Sequence, residues 1–102
     1  MSVNRLEKLK EQLQRVIDIN DDVARVYKGL SSRKFQKVMQ MYIKRARAFV
    51  TVVNAQVKLE SVEDIQKYSD DEFDFIVSEI STQINDLEKD WENDKARMGV
   101  LV

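Results

Sequence analysis

The groups in this chain that could do chemistry are carboxylates and cations. Eighteen Asp and Glu face seventeen Lys and Arg, with no histidine and no cysteine. The absence of histidine removes the commonest general base near neutral pH, and the absence of cysteine removes the best thiolate nucleophile. Together they remove the usual ligands of structural zinc and the Glu-x-x-His pairs of a di-iron bundle. No glycine-rich phosphate loop is present. Acid/base work by paired carboxylates needs surroundings that separate their pKa values. Here the carboxylates sit in strongly polar helical faces. The sequence therefore predicts a protein that is not an enzyme, with no cofactor, no metal and no evident small-molecule substrate.

Two arrangements remain that could bind something. The first is cationic. Arg33, Lys37, Lys44, Arg47 and Lys58, flanked by Lys34 and Arg45, recur along one side of a stretch that winds as a helix. Such a stripe could neutralise phosphates along a groove, which makes a nucleic-acid-binding accessory protein the alternative reading. Against it, the chain carries a net charge of −1. The nearby aromatics Phe35, Tyr42 and Phe49 fall on the apolar side, where stacking on bases is blocked. No recognised nucleic-acid motif occurs. The second arrangement is apolar. Ile19 and Val26 lie outside the heptad seam of their helix and widen its greasy face beyond what one neighbour covers, which predicts two packing partners, in a compact bundle or a subunit contact, and Phe75 points away from the stripe of its own helix. These three are the candidate protein-contact residues.

The charge is also unevenly distributed. Residues 1–58 hold thirteen Lys/Arg against five Asp/Glu, and residues 59–102 hold four against thirteen. This polarity admits three readings: the two halves face each other within one chain, the basic end of one copy meets the acidic end of the next, or the basic surface meets nucleic acid.

The elements that must position these groups are read from periodicity. Val3 to Lys28 predicts a helix, with Leu6, Leu9, Leu13, Val16, Asn20, Val23, Tyr27 and Leu30 at heptad spacing and Asn20 as the one polar member. Gly29 is placed to close it in the left-handed conformation, and Ser31 or Ser32 to cap the next. A link this short folds the two helices into an antiparallel hairpin. Arg33 to Leu59 predicts the central helix. Its apolar side is Phe35, Val38, Met39, Tyr42, Ile43, Ala46, Phe49, Val50, Val53 and Val57. The β-branched run from Phe49 to Val53 permits a strand hairpin turning at Asn54-Ala55, but the helical face continues through it, and Asn-Ala is a poor hairpin turn. Ser61 to Tyr68 is a short connecting helix, with a capping box at Ser61–Asp64 and Ile65 and Tyr68 reaching the core. A second capping box, Ser69–Glu72, opens a last helix from about Asp70 to Arg97, stopped by Gly99.

The expectation is thus a single all-α domain over 1–102: an antiparallel bundle of three long helices plus one short connecting helix. Its predicted core is Leu9, Leu13, Val16, Val23, Phe35, Met39, Tyr42, Phe49, Val53, Phe73, Ile76, Val77, Ile80, Ile84, Leu87 and Trp91. The expected role is a non-enzymatic protein-interaction module, a small helical adaptor, inhibitor, chaperone or structural subunit. It self-associates as a homo-oligomer through coiled-coil-like seams and complementary charge halves. No apolar run is long enough to cross a membrane, and no apolar block marks the N-terminus as a signal peptide. With no cysteine to form a disulfide, the expected location is the cytoplasm, or a host cell's interior if the chain is viral.

Overall fold

The computed structural model describes residues 2–57 and 62–101, with side chains for 5–56 and 65–100. It contains α1 (Ser2–Lys28), α2 (Ser32–Val57), the short α3 (Val62–Lys67) and α4 (Asp70–Leu101). Strands are absent among the described residues, and the β-branched run of α2 is helical. The fold is the predicted all-α bundle of three long helices and one short one.

Direction alternates along the chain. α2 runs antiparallel to α1 after a three-residue link, so that Tyr27 meets Phe35 and Tyr42 with ring centroids 6.1 and 5.0 Å apart. α4 runs antiparallel to α2 and therefore parallel to α1. Contacts climb the α1–α4 pair together, from Arg5 with Asp70, through Gln12 with Ser81 and Arg15 with Glu88, to Asp22 with Trp91. The bundle is a rod of 50 × 18 × 17 Å, as long as the 32-residue α4 alone predicts at about 1.5 Å per residue.

Ends and caps follow local chemistry. The Ser31 hydroxyl accepts from the Lys34 amide at 3.3 Å and caps α2. At α4 the Ser69 hydroxyl accepts from the Glu72 amide at 3.2 Å, the first half of the predicted capping box, while the Glu72 carboxylate accepts from the Ser69 hydroxyl at 3.0 Å rather than from its amide. The Ser61–Asp64 box, with Lys58 and Leu59, lies outside the described residues. Two glycine expectations are corrected. Gly29 has no positive φ; α1 ends instead through Gly29 N–H donating to the Arg25 carbonyl and Leu30 N–H to the Tyr27 carbonyl. Gly99 does not stop α4, which continues to Leu101, because a single glycine costs a helix only about 1 kcal/mol.

The core is built from Val16, Ile19, Val23 and Tyr27 of α1, Val38 and Val52 of α2, and Ile80, Ile84, Leu87, Trp91 and Met98 of α4. Phe73 and Ile65 are buried nearer the α3 end. Arg5 ties that end together. Its guanidinium donates to the Ile65 and Tyr68 carbonyls at 2.8 and 2.9 Å and to Asp70 at 2.6 Å, and it lies over the Phe73 ring at 4.7 Å. One side chain therefore satisfies the open carbonyl end of α3 and the first turn of α4.

Three predicted core residues are corrected. Leu13, Met39 and Tyr42 are exposed rather than buried, and Val50, expected on the same apolar side, is 53% exposed. The inward line of α2 is Val38, Arg45 and Val52, seven residues apart, so the helix is rolled relative to the expected face. Arg45, expected among the flanking charges, is 4% exposed. It is inward because Asp94 of α4 receives it.

Candidate interaction surface

Three features of the molecule bear on function: the polar contacts between the helices, the cationic side of α2, and an apolar face left open by the bundle.

The polar contacts answer the charge asymmetry within the chain. Arg5–Asp70, Lys8–Asp74, Arg15–Glu88 and Arg45–Asp90 all join the basic half to the acidic half, at 2.6, 3.8, 2.5 and 3.6 Å. Most of these are partly solvated and hold register more than they stabilise. Arg45 Nε–Asp94 Oδ2 at 2.7 Å is the buried member. Near the link between α1 and α2, Asp22 accepts from Trp91 Nε1 at 2.7 Å and Lys95 Nζ at 3.1 Å, and from Arg25. These donors, the Trp91 indole foremost, hold the Asp22 carboxyl down at about 2. The Glu92 and Asp22 carboxylates raise Lys95 above its ordinary value. Burial, and then the Asp94 charge, raises the Tyr27 phenol. An open cleft of about 640 Å³ runs beside this network between α1 and α4, with Arg15, Asp18, Asp22 and Glu88 among its walls. Arg15, Asp22 and Glu88 are already engaged with one another's helices, which makes the cleft a charged seam. No cluster of three metal-binding side chains occurs among the described residues.

The cationic stripe is placed as the spacing implies, with changes. Arg33, Lys37, Lys44 and Arg47 are exposed, and none forms an ion pair with a described residue. Arg45 leaves the group for the interior, and Lys58 lies outside the described residues. Phe35 and Phe49 are half-buried against the core, away from the stripe.

The three candidate contact residues are not brought together. Ile19 is buried in the core among α4 partners. Val26 is half-buried against the same core. The widened face of α1 is thus taken up inside the chain, with α2 on one flank and α4 on the other. Phe75 stands on α4, 66% exposed.

The open apolar face lies elsewhere, on the side of the α1–α2 hairpin turned away from α4. α1 contributes Leu13, Ile17 and Ala24, and α2 contributes Met39, Ala46 and Val50, all exposed, with Ile43 half-exposed beside them. Between the two helices this face opens into a cleft of about 140 Å³ that passes Asn20 and Val50 and reaches Val23, Phe49 and Leu87. Asn20, the polar member of the predicted α1 seam, stands exposed on its wall. Scattered exposed apolar residues are ordinary; here they recur on two adjacent helices, on either side of the exposed Asn20. The signal in the sequence was the width of the α2 apolar arc, which exceeds what two neighbours in a three-helix bundle cover.

No family model matches the chain, and no curated protein or solved structure matches it, so the functional reading rests on this geometry alone.

Proposed function

We propose that the protein is a non-enzymatic protein-interaction module that docks through the apolar face of the α1–α2 hairpin. The observation that carries the reading is the exposure of Leu13 and Ile17 on α1 and of Met39 and Val50 on α2. An adaptor, inhibitor, chaperone or structural subunit uses such a face to bury apolar area against a partner. The cleft behind Val50 gives that face a pocket into which one partner side chain inserts, the geometry typical of a binding hot spot. The ionic groups support the same reading, because Asp22, Glu88, Asp94, Arg15 and Arg45 are all held in contacts between helices. The test is the double variant Ile17→Glu/Val50→Glu. It keeps the helical circular-dichroism signal and loses association with protein, itself included, in size-exclusion light scattering and native-host pull-down. Phe75→Glu keeps association. Association that survives in the double variant removes the reading.

A second reading has one observation in its favour, the four exposed cations Arg33, Lys37, Lys44 and Arg47 with no acidic partner among the described residues. We propose nucleic-acid binding along this side of α2 as the alternative. Labelled RNA or DNA titrated at two salt concentrations tests it. Affinity that falls steeply with salt and disappears in Lys37→Ala/Lys44→Ala/Arg47→Ala supports it; salt-independent or absent binding rejects it.

A further inference from the structure

We infer that the partner of the open apolar face is an acidic amphipathic helix, laid along the groove between α1 and α2. The inference rests on the docking reading above and names the chemistry of the partner. Charge carries it. Every charged side chain of α2 is a cation: Arg33, Lys34, Lys37, Lys44, Arg45 and Arg47. Only Arg45 turns inward, to Asp90 and Asp94 of α4. The others are exposed, and none of them forms an ion pair with a described residue.

Cations also border the apolar residues themselves. On α1, Lys10 stands three residues before Leu13, and Lys28 four after Ala24. On α2, Arg47 stands four residues after Ile43 and three before Val50. Residues at these spacings are neighbours on a helix surface. All three cations are exposed, and Asp21, four residues after Ile17, is the one anion at such a spacing. The acids that balance the chain are gathered on α4, where they answer Arg5, Arg15 and Arg45 away from this face. A partner whose apolar stripe is flanked by carboxylates therefore finds apolar side chains beneath it and positive charge beside it, which favours both its approach and its seating. A second copy presenting the same face would bring cations to cations.

Backbone chemistry makes the partner a helix. α1 and α2 offer no strand edge, so an extended segment would leave its amides and carbonyls unsatisfied over apolar side chains, whereas a helix pairs its own. The exposed apolar residues run from 13 to 24 and from 39 to 50, which matches about three helical turns, roughly 17 Å. The cleft of about 140 Å³ behind Val50 is the size that holds a benzene ring, so one leucine or phenylalanine of the partner's stripe fills it. Nucleic acid would use the cations and leave that cleft and the apolar residues idle.

The probe is a fluorescein-labelled synthetic peptide of about sixteen residues, with leucines and one phenylalanine on one helical face and glutamates on both flanks. One control replaces the glutamates by lysines, and another permutes the residues so that no apolar face forms. Each is titrated with the full chain in fluorescence anisotropy, with circular dichroism as the folding control for variants. The acidic peptide is expected to bind saturably, about tenfold or more tightly than either control. Arg47→Glu is expected to weaken it about tenfold and to strengthen the lysine peptide. The uncharged double variant Ile17→Gln/Val50→Gln is expected to abolish binding. Equal binding of the acidic and lysine peptides, lost in Ile17→Gln/Val50→Gln, overturns the acidic partner and leaves the docking reading standing. Acidic-peptide binding that is unchanged in Ile17→Gln/Val50→Gln overturns both. Failure of every peptide to bind overturns the acidic helix, and the docking reading is then decided by its own pull-down. Labelled RNA, or vesicles of phosphatidylserine and phosphatidylcholine, bound more tightly than the acidic peptide and equally well by Ile17→Gln/Val50→Gln, would assign the cations to phosphate and overturn the inference.

Discussion

Arg45 of α2 and Asp94 of α4 form an ion pair at 2.7 Å inside the bundle, with residue exposures of 4 and 7%. The pair interrupts the apolar inward lines of two helices at one level. Desolvating two charges offsets much of their attraction, so the pair selects register more than it adds stability.

Breaking it from one side is costly. Arg45→Met leaves Asp94 buried without its partner and is expected to destabilise the fold by about 3 kcal/mol in urea unfolding. Arg45→Met/Asp94→Leu removes both charges and is expected to recover most of that loss. A double variant as unstable as the single one would show that the pair stabilises outright.

Acid stability turns on Asp22. Its carboxyl is held at about 2, below an unfolded value near 3.8, so its contribution is complete above pH 4 and is lost as pH falls towards 2. Partial exposure discounts the size to on the order of 1 kcal/mol. Asp22→Asn is expected to lower stability by that amount at neutral pH and to flatten the loss between pH 4 and 2. Urea midpoints measured across that range check both.

Gly29 ends α1 without a left-handed φ, and a methyl group built there meets only the Val26 and Arg25 carbonyl oxygens at 3.5 and 3.6 Å, ordinary contact. Gly29→Ala is therefore expected to stabilise, by about 0.4–1 kcal/mol, through a less flexible unfolded chain. A melting temperature raised by a few degrees is the readout.

The Tyr27 hydroxyl is buried without a hydrogen-bond partner among the described residues, while its ring packs on Phe35, Tyr42 and Trp91. Tyr27→Phe keeps the packing and removes the unpaired hydroxyl. It is expected to be neutral or to stabilise by up to about 1 kcal/mol, whereas Tyr27→Ala costs about 3 kcal/mol or more. Thermal melts of the two variants compare them directly.

How much of this was legible depends on what periodicity encodes. Helix number, order and the opening of α4 followed from the three- and four-residue recurrence and from Ser69 three residues before Glu72. The roll of α2 did not. Its apolar residues span an arc from Ala48 through Val38 to Ile43, wider than two neighbours cover, and the recurrence alone does not say which edge stays bare. Arg45 made this harder, because a charge on the inward line reads as the edge of the apolar face until Asp94 is known to meet it. Met39 was consequently placed in the core, Val50 on the same apolar side, and Val52 left out. The same arc was the only trace of the open apolar face. Ile19 and Val26 on α1 signalled a second neighbour correctly in kind, and that neighbour is α4.

The sole tryptophan sits against Asp22 on the flank of α1 opposite Ile17. Its fluorescence is thus a built-in optical gauge of whether α4 remains seated, and it is remote from whatever happens on the far side of the hairpin. Unfolding can be followed by this signal with no label attached.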